Sequence, residues 1–126
     1  MATILIIEDD AVLAQMYSTR LTSDGYSVIC ERDGAQGLAK AQEIKPDIIL
    51  LDLMLPGLSG QRVLSALRSE CQVKAPIIVF SNLGNPQEEQ EALQAGANKF
   101  LVKTRVTPSE VVATIQELLH PKPGAS

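Results

Sequence analysis

A chain of 126 residues, 45% hydrophobic and 21% charged, can bury about two thirds of its unfolded surface in one core without a disulfide or a structural metal, which excludes a disordered segment. A net charge of −4 with no Lys/Arg run speaks against direct nucleic-acid binding, which needs a basic patch to displace counterions. Apolar runs too short for a bilayer, a start (Met1-Ala2-Thr3-Ile4) without a basic n-region, and two distant cysteines, Cys30 and Cys71, both expected to be buried or half-buried, lead us to expect a cytoplasmic protein with no membrane partner.

The first apolar run, Ile4 to Ile7, reads as a strand and ends in Glu8, Asp9 and Asp10. Leu13, Met16, Tyr17 and Leu21 then fall on one helical face, and Asp24-Gly25 closes that helix. Val28 to Cys30 is a second strand, followed by Glu31 and Arg32 at an expected sheet edge. Asp33, with Gln36 three residues on, predicts a capping box for the next helix. Ile48 to Leu51 is wholly apolar and runs into Asp52. Leu53-Met54-Leu55-Pro56-Gly57 is no helix start, and its Pro-Gly predicts a type II turn. Ile77 to Phe80 is a fourth strand, followed by Ser81. Asn85-Pro86 and Thr107-Pro108 each read as an N-cap before a first-turn proline, with Glu88 and Glu110 completing capping boxes. Between them, Gly96 ends a helix, and Phe100 to Val102 is a fifth strand leading into Lys103. Val111, Ile115, Leu118 and Leu119 share one face of the last helix. Residues 1–120 form the expected domain, and Pro121 to Ser126 an expected tail or linker.

Apolar runs without polar alternation mark strands buried on both faces. A β-α unit repeated five times predicts an α/β fold: a five-stranded, doubly wound parallel sheet with right-handed crossovers.

Ligands of such sheets bind beyond the carboxyl ends of the strands. If the first and third strands are neighbours, Glu8, Asp9 and Asp52 converge; carboxylates so close repel, and one has its pKa raised unless a cation compensates. All-oxygen ligands select a hard cation, so Mg²⁺ is the expected cofactor. Asp10 reads best as a helix cap and Asp9 as a ligand, while for Glu8 the two readings balance. Asp52 has no capping role and suits nucleophile or ligand work. Lys103 beside these acids would balance charge on a transferred phosphoryl group, and the Ser81 hydroxyl would donate to it. Phe100 is most simply a core aromatic.

Glu8-Asp9, Asp52, Ser81 and Lys103, in this order at strand ends, together with the loop from Asp52 to Gly60, resemble the response regulator receiver domain of two-component signalling, over about Thr3 to Leu119. The resemblance implies a flavodoxin-like (βα)5 fold with strand order 2-1-3-4-5. It implies Asp52 as phosphoacceptor, and Mg²⁺ held directly by Asp9, Asp52 and the Met54 carbonyl and through water by Glu8. Lys103 would pair with Asp52 and then with the phosphoryl group, while Ser81 and Phe100 would act as switch residues. The implied donor is a phosphohistidine on a sensor histidine kinase or histidine phosphotransfer domain. The implied output is a shifted face of the fourth helix, fifth strand and fifth helix, read by a downstream protein target or a missing output domain. Such a domain is no enzyme in the ordinary sense, although it catalyses its own phosphorylation and dephosphorylation.

Two departures stand out. Thr104 follows Lys103 where the family usually has proline, often cis, and Asn82 follows Ser81 where it favours a small residue. Asn82, with apolar Met54 and Leu83 at the expected entrance, predicts slow self-dephosphorylation. The rival readings are a degenerate receiver serving as a binding module, an aspartate-nucleophile phosphohydrolase and a flavodoxin. The hydrolase would need an acid where Met54 stands, and the flavodoxin would need an anion-binding loop where Glu8-Asp9-Asp10 repels phosphate.

Overall fold

The computed structural model describes residues 2–82 and 84–120. Five β-α units follow one another: β1 (Thr3–Ile7), α1 (Ala11–Ser23), β2 (Ser27–Glu31), α2 (Gly34–Ile44), β3 (Ile48–Asp52), α3 (Gly60–Ser69), β4 (Ile77–Ser81), α4 (Pro86–Gln94), β5 (Lys99–Val102) and α5 (Pro108–Leu119). All neighbouring strands are parallel, in the order β2-β1-β3-β4-β5. This is the expected flavodoxin-like architecture. The tail, 121–126, and Leu83 lie outside the described residues. Among the described residues no helix is long and apolar enough to cross a membrane.

Both faces of the sheet are covered, so strand alternation sorts apolar residues between two cores rather than between core and water. Leu5, Ile7, Ile49, Leu51, Ile77 and Val79 pack with Ala41, Val63, Leu64, Leu67 and Ala92 under α2, α3 and α4. Ile4, Ile6, Ile48, Leu50, Ile78 and Phe80 pack with Tyr17, Leu21, Val111, Val112 and Ile115 under α1 and α5. Asp52 follows Leu51 and registers with Phe80, whereas Ser81 follows Phe80 and shares the α4-side parity of Val79.

Three local expectations are corrected. Met16 does not share the buried face of α1: the buried stripe is Ala14, Tyr17 and Leu21, and at about 100° per residue Met16 falls outside it, exposed like Val12. Cys30 is exposed on β2, the edge strand, while Cys71 is half-buried. Among the described residues the capping box is complete only at α5, where Thr107 and Glu110 exchange both bonds. At α2 the Asp33 carboxylate accepts from Gln36 N, and at α4 Asn85 accepts from Gln87 N. Glu88 turns instead toward the sheet.

Arg68 ties together the loops at the amino ends of β4 and β5. Its guanidinium donates to the carbonyls of Gly96 (3.0 Å), Val73 (2.7 Å) and Ala75 (2.8 Å) and to Asn98 Oδ1 (2.9 Å). Arg68→Ala is expected to lower unfolding stability by about 3 kcal/mol, because part-buried acceptors lose a charged donor. Urea denaturation at an unchanged m-value checks this.

Candidate functional site

The site lies at the carboxyl edge of the central strands. β1 and β3 are direct neighbours, with Ile7 opposite Leu51, so Glu8 and Asp52 leave the sheet side by side. Both are buried, at 3% and 2% exposure, where unpaired charge is costly. Asp9 is exposed, yet oxygens of Glu8, Asp9 and Asp52 all lie within 4.8 Å of one another. The expected convergence therefore occurs.

Lys103 supplies the counter-charge. Its Nζ stands 2.8 Å from Glu8 Oε1 and 3.3 Å from Asp52 Oδ2, so it bridges two acids rather than pairing with Asp52 alone. Its ammonium lies 5.9 Å from the Phe80 ring centroid, and its backbone N–H donates to the Ser81 carbonyl at 2.8 Å, which fixes the chain just past β5. The peptide into Thr104 is trans, as its replacement of proline predicts.

Backbone donors orient the acids. Asp10 N donates to Glu8 Oε2 (3.1 Å) and Met54 N to Asp52 Oδ1 (3.0 Å). Asp10 itself caps α1, accepting from Val12 N and Leu13 N. Met54's side chain faces solvent at 55% exposure, Asn82 is exposed, and the turn beyond carries Gly57 at φ +72°, as a type II turn requires.

Burial chiefly, and then the neighbouring Asp52, push the Glu8 carboxyl up to about 7, against the pull of Lys103 and Asp10 N. Burial pulls Lys103 down, but Glu8 and Asp52 together outweigh it and raise its pKa. An all-oxygen cluster of this kind could hold a metal ion of the hard class.

Ser81 is buried at the end of β4, and its hydroxyl donates to Glu88 Oε1 on α4. Phe100 is half-buried and packs on the α4-side core opposite Val79, away from Asp52. Of the residues singled out in the sequence, Glu8, Asp9, Asp52 and Lys103 come together directly. Ser81 reaches the same edge from the next strand, and Phe100 stays behind it.

Two participants were not legible as such. Gly60 opens α3 directly beneath the Asp52 loop, and a Cβ there would stand 2.4 Å from both the Asp52 carbonyl oxygen and Leu53 Cα. Glu88 read as a helix cap, and only the approach of α4 to the sheet shows its second partner.

A doubly wound parallel sheet with a buried acid pair, a third acid and an ammonium at its carboxyl edge defines a CheY-like signalling domain. The family model "Response regulator receiver domain" matches residues 4–116, and the chain belongs to that family. The DNA-binding response regulator MtrA of Mycobacterium tuberculosis is 35% identical over 117 residues, covering 93% of this chain and 50% of that protein. This chain thus spans about half the length of such relatives. Chemotaxis protein CheY4 of Vibrio cholerae superposes with a TM-score of 0.86 at 34% identity, covering 94% of this chain and 99% of that one. The BeF3-activated receiver domain of Klebsiella pneumoniae RstA gives a TM-score of 0.86 at 27% identity, with 94% and 98% covered.

The raised Glu8 pKa fixes a sign. The folded state keeps this proton between the model-compound value of 4.5 and about 7, where the unfolded chain has lost it. Glu8's contribution to stability is therefore full below that window and is lost as pH rises through it. Glu8→Gln, which cannot ionise, is expected to gain stability relative to the parent between about pH 5 and about pH 8, measured by urea unfolding without divalent cations.

Proposed function

We propose that Asp52 accepts a phosphoryl group from a phosphohistidine donor, on a sensor kinase or a phosphotransfer domain, with Mg²⁺ as cofactor. The observation that carries this reading is the meeting of Lys103 with Glu8 and Asp52, beside Asp9, at the ends of β1, β3 and β5. Every position the chemistry needs holds a competent side chain, which favours a working acceptor over a degenerate one. Met54, where a hydrolase would place its general acid, has no acidic group.

An Asp52 carboxylate oxygen attacks phosphorus. The P–O bond forms as the P–N bond to the imidazole breaks, and the leaving nitrogen keeps the electron pair and takes a proton. Met54 N–H and Lys103 hold the carboxylate in place, and Lys103 meets charge on the arriving phosphoryl oxygens. The donor set fits a hard cation: Asp9, Asp52 and the Met54 carbonyl would hold it directly and Glu8 through water. When bound, the ion offsets negative charge on the acids and the phosphoryl group. Residues 1–120 are the receiver domain and 121–126 a C-terminal tail or linker. DNA binding in a relative twice as long suggests an output segment or a separate protein target as the reader of the switch.

Incubation with acetyl phosphate and Mg²⁺, followed by intact mass spectrometry, is expected to show one added phosphoryl group, lost without Mg²⁺ and in Asp52→Asn. Uptake that persists in Asp52→Asn would place the chemistry elsewhere. The acyl phosphate should outlast seconds, because neither apolar Met54 nor the Asn82 amide supplies a general base to activate water. Because Glu8 must lose its proton near a bound cation, Mg²⁺ affinity should rise as pH increases through about 7, and Glu8→Gln should flatten that profile in a calorimetric titration.

A further inference from the structure

Ser81 and Glu88 make a contact that the phosphoacceptor chemistry does not use. Ser81 ends β4 on the face covered by α4, and its hydroxyl donates to the Glu88 carboxylate in the first turn of that helix. A carboxylate only accepts, so the single hydroxyl proton is committed to α4. Donation from Ser81 to a phosphoryl oxygen on Asp52 needs the same proton. The two bonds therefore exclude each other.

Glu88 also has a second place to go. It is the third residue of α4, with Asn85 as N-cap and Pro86 first. From the equivalent position in α5, Glu110 reaches back to the Thr107 backbone N–H at 3.0 Å while Thr107 accepts from Glu110 N at 3.2 Å. The sequence Asn85-Pro86-Gln87-Glu88 encodes the same box, and α4 forgoes it while Glu88 holds Ser81.

We propose that Glu88 is a positioning residue that holds the unphosphorylated arrangement: it keeps the Ser81 proton on the α4 side of the sheet until a phosphoryl group on Asp52 competes it away, whereupon the Glu88 carboxylate turns back to cap its own helix. This rests on Asp52 being the acceptor. The equilibrium is a two-position choice by one side chain, and the phosphoryl group shifts it only through its differential contact with Ser81. It couples the acceptor site to the start of α4 without requiring new contacts further along the helix.

The test is the affinity of the full chain for beryllium fluoride with Mg²⁺, a phosphoryl mimic, followed by amide NMR. Glu88→Ala should bind about tenfold tighter than the parent, the scale of one charge-assisted hydrogen bond no longer lost on binding. Glu88→Gln, which keeps an acceptor, should gain less. In metal-free Glu88→Ala the Ser81 and Gln87 amide shifts should move toward their beryllium fluoride-bound positions. In a Ser81→Ala background, Glu88→Ala should change nothing. Equal affinity in parent and Glu88→Ala would overturn the proposal, as would a gain that is the same for Gln and Ala and survives Ser81→Ala, since charge repulsion alone would then explain it. Failure of the parent to bind beryllium fluoride at all would instead overturn the acceptor reading beneath it.

Discussion

The contact on which the rest of the site depends is the ammonium of Lys103 set between two buried carboxylates, Glu8 and Asp52. Two acids at 3% and 2% exposure could not both remain ionised in an apolar edge without compensation. One amine stands against two buried acids and the exposed Asp9 beside them, and Glu8, buried and next to Asp52, has its pKa raised despite Lys103. The same imbalance suits the cluster to a divalent cation.

The sheet makes this contact possible by register rather than by proximity in sequence. Direct pairing of β1 with β3 aligns Ile7 with Leu51, so the residues after them emerge together. Pairing of β4 with β5 places Ser81 opposite Val102, and the next residue, Lys103, turns back across the edge with its N–H on the Ser81 carbonyl. A one-residue slip in either pair would send a functional side chain to the wrong face. Fully apolar strands packed on both sides hold that register.

Ser81 and Asp52 belong to opposite faces of this sheet by strand parity, although they lie on adjacent strands. The acid thus looks toward α1 and α5 while the hydroxyl looks toward α4. A group bound to Asp52 can be felt by α4 only over the carboxyl edge, where Ser81 stands. The charged cluster thus lies toward one face, and the Ser81–Glu88 contact toward the other.

The strand cores, the acids that follow them, the Asp10 and Thr107 caps and the Pro56-Gly57 turn were all legible in the chain, because each follows from local chemistry: apolar β-branched runs, short side chains that bond nearby N–H groups, and a glycine where φ must be positive. Family resemblance supplied the strand order, which periodicity does not contain. Three things were decided only in three dimensions. Met16 and Cys30 face water because helix phase and edge position, not apolarity, set their burial. Lys103 bridges two acids because the chain past β5 turns back over the end of β4 toward β3 and β1. Glu88 leaves its local cap because a buried hydroxyl 7 residues away in the chain comes within reach once α4 packs on the sheet, and its carboxylate then accepts from Ser81 rather than from the N–H of its own helix cap.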